Sequence, residues 1–402
     1  MFTIRSLRFH RAWPDLKRLF MVIMTAAFCL TACSSSSSQV PRSLGHLLPL
    51  TKIQLANGAD HACIVPGSKP PTIDWSALHN PILSYPNAGV KDQALIWALG
   101  KWHMLFSYMT TPPNSPGGVT FNVATATSPN LTTWSAPDPW PTQRGIADAV
   151  SPDIVRDPAG DFVATYQGTS AVKGPGYGLN KLYYRISSNL ISWSKPYSLA
   201  HSIAPLPTQT SIDPALAFTG NGVFLGTKIT NGTGHAHFEI AWSPSGSLNG
   251  PWQLLGRANI VLYNDTVENY EFVLLQGKWH LIATSNILDQ PWIFTLAGNP
   301  NKAINWLHWT DGYEVKIPSQ PFNTGPGLSS LTFEHANSAF LCDAHALDGY
   351  YYMTYSASTE LTAFGGWGHA RIGIARSKNL KTWQVPSELP QPLVATTTTT
   401  TK

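Results

Sequence analysis

A seven-residue segment that recurs along the chain is the feature that most constrains the fold. The segment SPNLTTW at 128–134 returns as SSNLISW at 187–193 and as SKNLKTW at 377–383. Degenerate copies end at Trp252 and Trp309. Trp134, Trp193 and Trp252 are 59 residues apart, and the 131 residues from Trp252 to Trp383 fit two further units with Trp309 between them. The chain therefore contains five repeats of about 60 residues.

A glycine turn marks an earlier point in each repeat. The tetrapeptide GKWH occurs at 100–103 and again at 277–280, and Gly160, Gly222 and Gly349 occupy the corresponding places. Each glycine separates an apolar strand from a second β-rich strand. Several short strands followed by a tryptophan are typical of a propeller blade, whereas a β-sandwich would not repeat so regularly. We predict an all-β fold, a single five-bladed β-propeller.

Composition agrees with this prediction and excludes one class of partner. The 402 residues include 31 Gly and 32 Pro, and only 12% are charged, which favours short strands and many turns over helices. The formal net charge is +4, and several of the positive residues lie in the first 18 positions. No basic stripe is left that would indicate a nucleic-acid partner.

Both ends of the chain are predicted to lie outside the fold. Five basic residues precede an apolar run over 19–30, which ends in LTAC at 30–33 and resembles a lipobox. We expect a lipoprotein signal peptide over 1–33 with lipidation at Cys33, a Ser-rich tether and linker over 34–59, the propeller over 60–390, and a disordered Thr-rich tail over 391–402. The alternative is an ordinary secretory signal. Either way the protein is secreted, and a lipid anchor at the cell surface or outer membrane would be its membrane contact.

Two cysteines remain after the leader. Cys63 and Cys342 lie near opposite ends of the propeller region and would be in an oxidising compartment. A disulfide between them would fasten the first segment to the last. The alternative is two separately buried thiols.

An ionisable residue is predicted to open the first strand of each blade, at the mouth of the central channel. Counting back from the turn glycines gives this set: Asp92, Asp153, Asp213, Glu268 and His335. Converging carboxylates repel one another, so stability alone would not favour them, although each could also be an acidic turn residue. Hydrolysis of a glycosidic bond uses such a cluster, with one carboxyl as acid, one as base and a third raising the pKa of the acid.

Glu271 competes with Glu268 for the place in the fourth repeat. In a strictly alternating strand the two side chains point to opposite faces, so only one would face the channel. The spacing to Gly277 favours Glu268.

These motifs together resemble the clan of five-bladed propeller glycoside hydrolases that holds families 43 and 62. Lys91-Asp92 before an apolar strand resembles the segment of the general base, and the segment SID ending at Asp213 resembles the one that tunes the acid. Glu268 matches the general acid. Tyr166-Gln167 resembles a family 62 feature, and His335 resembles a central histidine beside a metal ion or water. The likeness covers about residues 60 to 386, with a last blade closer to family 43.

The resemblance implies an inverting, exo-acting α-L-arabinofuranosidase that removes side chains from arabinoxylan or arabinan of the plant cell wall. Asp92 would be the base, Glu268 the acid and Asp213 the tuning residue, while Lys91, Tyr166, Gln167 and His335 would bind substrate. Calcium in the channel, held through His335, is the one cofactor implied; a hydrogen-bonded core histidine is the alternative.

Three other interpretations stay open. A β-xylosidase or an endo-arabinanase of the same clan would use the same carboxylates with a differently shaped cleft. A surface glycan-binding propeller without catalysis would depend on aromatic residues instead. A retaining hydrolase would form a covalent sugar adduct on Asp92.

Overall fold

A computed structural model shows the fold of this chain. It describes residues 63–110, 119–141, 143–171, 178–200, 203, 209–230, 236–260, 262, 267–285, 290–310, 312–324, 336–358 and 370–388. The chain divides into two compact units, Met1–Ser43 and Leu44–Lys402, and all the described residues belong to the second. Cys33, the tail and His335 therefore lie outside the described residues. Across the ranges given, no helix has both the length and the apolar character needed to cross a membrane.

Five four-stranded antiparallel sheets form the five blades of a propeller, which confirms the predicted fold class. Blade 1 contains β2 (Ala88–Ala98), β3 (Lys101–Thr110), β4 (Thr120–Ser128) and β5 (Asp138–Pro139). Blade 2 contains β6 (Ile146–Arg156), β7 (Phe162–Ser170), β8 (Asn180–Ser187) and β9 (Tyr197–Ser198). Blade 3 contains β10 (Thr210–Thr219), β11 (Gly222–Thr230), β12 (Ala236–Ser243) and β13 (Gln253–Arg257). Blade 4 contains β14 (Val267–Leu275), β15 (Lys278–Ser285), β16 (Pro291–Thr295) and β17 (Tyr313–Glu314). Blade 5 contains β18 (Asn337–Ala344), β19 (Tyr350–Ala357), β20 (Arg371–Ser377) and β21 (Trp383–Gln384).

Among the described residues, helical structure is confined to short pieces between strands. The 3₁₀ helices span Trp75–Ala77, Ala303–Leu307 and Pro321–Asn323, and the helix α1 spans His345–Asp348. The repeated turns have the geometry that their residues favour. Gly100 and Gly277 have φ of +81° and +75°, which glycine adopts without steric cost, and each follows a residue with positive φ, as a tight hairpin requires.

The recurring heptapeptide forms the turn between the third and fourth strands of a blade. In blade 1, Ser128 Oγ accepts a hydrogen bond from the N–H of Leu131 at 2.8 Å, and Leu131 has φ of +66°. The Trp134 indole donates back to the Leu131 carbonyl at 3.1 Å. The copies at Leu190 and Leu380 adopt the same positive φ, so the motif is a turn that closes on itself through local hydrogen bonds.

The inner strands β2, β6, β10, β14 and β18 contact one another in a closed ring around a central channel. Two connections join the ends of the ring. Strand β1 (His79–Asn80) pairs in parallel with β22 (Ser387–Glu388). Cys63 and Cys342 form a disulfide with a Cα–Cα distance of 5.2 Å. The core lies between the blades, as in the contact of Phe224 on blade 3 with Trp306 of blade 4, whose rings stack 4.0 Å apart.

The disulfide generates a prediction about stability. Replacing both cysteines, Cys63→Ser with Cys342→Ser, is expected to lower the free energy of unfolding by about 2–5 kcal/mol, because the bond closes a loop of 279 residues in the unfolded chain. Thermal melts of oxidised protein, of protein with a reductant and of the double variant test this. Equal melting temperatures in all three samples would contradict a stabilising bridge.

Candidate active site

A β-bulge interrupts every inner strand at the same place. In each blade, two residues of the inner strand oppose one residue of the second strand. The first residue of each pair, which we call the bulge residue, has φ between +51° and +53°. The five bulge residues are Asp92, Ser151, Asp213, Asn269 and Ser338. The left-handed conformation is costly for most side chains, so its recurrence around one channel needs support from neighbouring contacts.

The five bulge residues differ from the set that was predicted to open the first strand of each blade. Asp92 and Asp213 do occupy matching positions, but inside β2 and β10 rather than at their starts. Asp153 lies two residues beyond the bulge residue of blade 2, and Glu268 lies one residue before that of blade 4. In blades 1 to 4 the bulge residue comes eight or nine residues before the turn glycine, and in blades 2 and 4 it is neutral, Ser151 and Asn269. The search for an ionisable residue therefore selected Asp153 and Glu268 instead.

A side chain from the preceding blade braces the N–H group of each bulge residue. Four of these braces come from the second strand, at the position paired with the residue just before the bulge. The four hydrogen bonds run from Asp92 N to Ser356 Oγ at 3.2 Å, from Ser151 N to Ser107 Oγ at 2.8 Å, from Asp213 N to Gln167 Oε1 at 2.7 Å and from Ser338 N to Thr284 Oγ1 at 3.0 Å. Neighbouring blades are therefore locked together at the channel.

Blade 3 departs from this pattern. Its equivalent residue is Lys228, which pairs with Ile212 in the sheet and has no acceptor to offer. The Asn269 N–H instead donates to Asp213 Oδ2 at 3.2 Å. The Lys228 ammonium forms an ion pair with Glu268 Oε2 at 3.1 Å. A buried cation thus replaces the common brace at the one place where Asp213 and Glu268 meet.

Asp92 is held from several sides. Its Oδ2 accepts a hydrogen bond from Ser107 Oγ at 2.7 Å, and its Oδ1 accepts one from Ser338 Oγ at 2.6 Å and one from Asn269 Nδ2 at 3.0 Å. Ser151 Oγ lies 3.4 Å from Oδ2. Only 3% of the Asp92 side chain is exposed. Asn269 connects the cluster, because its side chain binds Asp92 while its backbone binds Asp213.

The charges of this cluster act on one another. Burial, followed by the charges of Glu268 and Asp92, raises the pKa of Asp213 to about 6, although Lys228 opposes the rise. Burial lowers the pKa of Lys91, but the charges of Asp92, Glu268 and Asp213 outweigh it, so the pKa is raised overall. Lys91 Nζ lies 3.5 Å from Asp92 Oδ1. The cluster therefore keeps Lys91 charged and favours a proton on Asp213.

A second pair of acids lies deeper in the channel. Glu271 accepts a hydrogen bond from the Leu341 N–H at 2.6 Å, and burial together with the charge of Asp153 raises its pKa well above the usual range. Both residues line the channel cavity. Glu271, which the spacing to Gly277 had disfavoured, is thus the glutamate of blade 4 that lines this cavity, and Glu268 is not among its lining residues. Glu268 pairs instead with Lys228 and has 21% of its side chain exposed.

The other predicted substrate contacts fall in different places. Lys91 lies beside the carboxylates. Gln167 braces the Asp213 N–H. Tyr166 is next to Gln167 on β7, and its side chain faces away from the cluster, where it packs on Trp140 with ring centroids 5.4 Å apart. His335 lies outside the described residues, so its roles stay predictions. Within the described ranges, no three His, Cys, Asp or Glu side chains form a group that could hold a metal ion, and calcium also stays a prediction.

Sequence reasoning missed Lys228 and Asn269. A signal for Lys228 was present, because the bracing residues follow their turn glycines at a nearly constant distance. Ser107, Gln167, Thr284 and Ser356 come seven residues after the glycine, and Lys228 comes six after Gly222. Asn269 had no comparable signal, since its place depends on the bulge.

Comparison with known proteins shows the fold and no closer relationship. No protein-family model matches the sequence, and no curated protein matches it. A thermostable family-43 glycoside hydrolase is similar at 14% identity and a TM-score of 0.53, covering 78% of this chain and 98% of that one. An α-L-arabinofuranosidase from Lactobacillus brevis is similar at 12% identity and a TM-score of 0.54, covering 78% and 98%. A structure from the GH130 family of mannoside phosphorylases, which contains glycoside hydrolases that target β-1,2 mannosidic linkages in Candida mannan, is similar at 14% identity and a TM-score of 0.52, covering 80% and 100%.

The raised pKa of Asp213 generates a prediction about stability and pH. Its folded pKa of about 6 exceeds the ordinary value of 3.8, so burying its charged form destabilises the fold. This destabilisation is absent below about pH 4, grows between about pH 4 and 6 and stays constant at higher pH. Asp213→Asn removes that cost, and asparagine also tolerates the left-handed conformation. We expect the variant to be more stable than the parent by up to about 3 kcal/mol at pH 7.5, and equal to it near pH 4.

Calorimetric melts of both proteins from pH 4 to 8 provide the measurement. Glu314→Gln serves as the control, because Glu314 forms only a loose pair with the exposed Lys316 at 3.9 Å. A gain for Asp213→Asn that does not change with pH would show that the charge of Asp213 is not the cause.

Proposed function

We propose that this protein is an inverting glycoside hydrolase in which Asp92 is the general base and Glu268 the general acid. The observation that carries the proposal is the cluster of Asp92, Asp213 and Glu268 beside the channel. Asn269 joins two of these carboxylates, and Lys228 binds the third. Two buried acids next to a third, partly exposed one cost stability, which favours a catalytic role over a structural one.

Asp213 and Glu268 together supply the proton that the leaving group needs. The raised pKa of Asp213 keeps a proton in this pair near pH 6. Glu268 is the more exposed member, so it is the one that reaches the glycosidic oxygen. As the C–O bond breaks, the electron pair stays with the leaving oxygen, and Glu268 gives it the proton.

Asp92 takes a proton from the attacking water on the opposite side of the sugar. A carboxylate has about four acceptor sites, and Ser107, Ser338 and Asn269 occupy three of them. Ser151 Oγ donates a longer hydrogen bond to the fourth at 3.4 Å, and the attacking water would displace it. Water then attacks the anomeric carbon while Asp92 removes its proton, which inverts the configuration.

For the substrate we propose a terminal α-L-arabinofuranosyl residue on arabinoxylan or arabinan, released by exo action. The channel cavity is ringed by residues of all five blades, which suits the end of a glycan better than an extended chain. The resemblance at Asp92, Asp213 and Glu268 and the similar arabinofuranosidase structure support this choice. An exported, lipid-anchored protein would meet such a polysaccharide outside the cell.

A surface glycan-binding propeller without catalysis is the second candidate. It is favoured by the ion pair between Glu268 and Lys228 and by the filled acceptor sites of Asp92, because both carboxylates then already have partners within the protein. Such a protein would bind a sugar in the channel and release nothing.

Replacement of the proposed acid separates the two candidates. Glu268→Gln is expected to lower kcat on arabinoxylan by about 10²–10⁴-fold, because glutamine cannot protonate the leaving oxygen. On an aryl arabinofuranoside with an acidic phenol the loss should be much smaller, since that leaving group needs no proton. Asp92→Asn should reduce both rates strongly.

The assay measures sugar release by the mature protein from arabinoxylan, arabinan, aryl β-xylosides and β-1,2 mannan, with Glu314→Gln as the control variant. Proton NMR of the first product formed reports its anomeric configuration. Release that is unchanged in Glu268→Gln would overturn the assignment of the acid. Binding without release from any of these substrates would support the glycan-binding candidate.

Lys228 makes a further prediction about the pH profile. Its charge lowers the pKa of Asp213, so Lys228→Met should raise that pKa above 6. The alkaline limb of kcat/KM, where the acid pair loses its proton, is then expected to move to higher pH by about one unit. Profiles of the parent, Lys228→Met and Lys195→Met, which removes a surface cation, provide the comparison. An unmoved limb with a lower rate would mean that Lys228 acts only by positioning Glu268.

A further inference from the structure

A second cavity of about 130 Å³ lies between blades 1 and 2, and we call it the side cavity. Its walls come from the start of β4, the start of β6 and the segment around Trp140. Tyr166 of β7 and Arg185 of β8 also line it.

The guanidinium of Arg185 gives the side cavity its chemistry. Arg185 is only 4% exposed and lies over the Trp140 ring at 4.7 Å. In the part of the chain that the structure describes, no carboxylate pairs with Arg185, and its Nε has no hydrogen-bond partner. Arginine is almost never buried without a partner, because the desolvated charge is costly. A ligand with a negative charge would supply what the protein does not.

Other polar groups in the side cavity also have no partner. The Trp140 indole N–H is buried and unpaired among the described residues. Tyr166 is 1% exposed, and its hydroxyl is buried without a hydrogen-bond partner of good geometry within the described ranges. Burial raises the pKa of Tyr166, and the neighbouring Arg185 opposes that rise. Asn122 and Gln143 add amide groups to the walls. Aromatic surfaces next to amides and hydroxyls suit the faces and hydroxyl groups of a sugar ring.

The charge balance favours a monoanion. Arg185 is the one cation that lines the side cavity among the described residues, and Asp148 at the rim is the one acid. Asp148 is exposed, so water screens its charge, whereas the charge of Arg185 is not screened. One planar guanidinium fits a carboxylate better than a phosphate or sulfate dianion, which would need more positive charge.

The side cavity is close to the channel. Strand β6 supplies Ile146–Ala149 to the side cavity and Ser151–Asp153 to the channel, a separation of at most about 23 Å along the strand. On β7, Tyr166 faces the side cavity while the next residue, Gln167, binds the Asp213 N–H. One glycan could therefore place two of its residues in the two cavities.

We propose that the side cavity binds a hexuronate, a sugar residue with a carboxylate, through Arg185. This proposal rests on the proposed function in one respect, that the ligand is part of a glycan. It assigns to the substrate class an acidic sugar near the residue that is released.

Direct binding measurements test the proposal without requiring hydrolysis. Calorimetric titration and tryptophan fluorescence are run with four ligands: D-glucuronate, D-glucose, acetate and sulfate. We expect glucuronate to bind at least tenfold more tightly than glucose or acetate. Equal binding of glucuronate and glucose would overturn the role of charge, and sulfate binding as tightly as glucuronate would overturn the sugar. No binding of any ligand would overturn the site.

Variants locate the binding. Arg185→Gln should weaken glucuronate binding at least tenfold, and Asp148→Asn should keep or strengthen it. Lys195→Gln, which removes an exposed cation that lies over Tyr197, should leave it unchanged. Lys228→Gln changes the channel alone, and a loss in that variant with none in Arg185→Gln would place the ligand in the channel and overturn the proposal. If Arg185→Gln does not fold, the Arg185→Lys variant and the comparison of the four ligands on the parent protein still test whether the side cavity binds hexuronate.

The outcome is independent of the proposed function. Glucuronate binding in a protein that releases no sugar would refute hydrolysis and keep the side cavity as a binding site. Sugar release with no binding of glucuronate would support hydrolysis and refute the side cavity as a binding site for hexuronate.

Discussion

Each inner strand of the propeller turns through one residue in the left-handed region, and the N–H of that residue needs an acceptor outside its own strand. In four blades the acceptor is a side chain from the second strand of the blade before, such as Ser356 for Asp92 or Gln167 for Asp213. A buried N–H without a partner would cost about as much as a lost hydrogen bond, so this repeated contact holds the blades in register around the channel. The positions of all the channel side chains depend on it.

The candidate active site exists because blade 3 breaks this rule. Lys228 stands where the other blades carry an acceptor, and Asp213 takes over the bracing of Asn269. Asp213 is thereby fixed beside Glu268, while Lys228 compensates part of the negative charge that gathers there. Blade 3 thereby loses the neutral side-chain acceptor of the other blades and concentrates charged groups in a buried place. Such a local departure from the structural pattern is what a site of chemistry requires.

Much of the architecture could be predicted from the sequence, because the repeat is local. The heptapeptide ending at Trp134 closes on itself through bonds within a few residues, and Gly100 needs only its own conformation. Asp92 and Asp213 were placed correctly relative to each other, since both are bulge residues. The set as a whole was not, because Glu268 and Asp153 stand on either side of the bulge, and a bulge is not visible in an alternating pattern.

The sequence by itself therefore determined the number of blades and the turns within them, since both follow from contacts between residues close along the chain. Only the tertiary structure decided which acids line the channel and how they are connected. The hydrogen bond from Asn269 to Asp92 spans 177 residues, and the cavity that Arg185 lines without a carboxylate partner among the described residues lies where blades 1 and 2 meet. Contacts of that range depend on the closing of the whole ring, and short motifs carry no information about them.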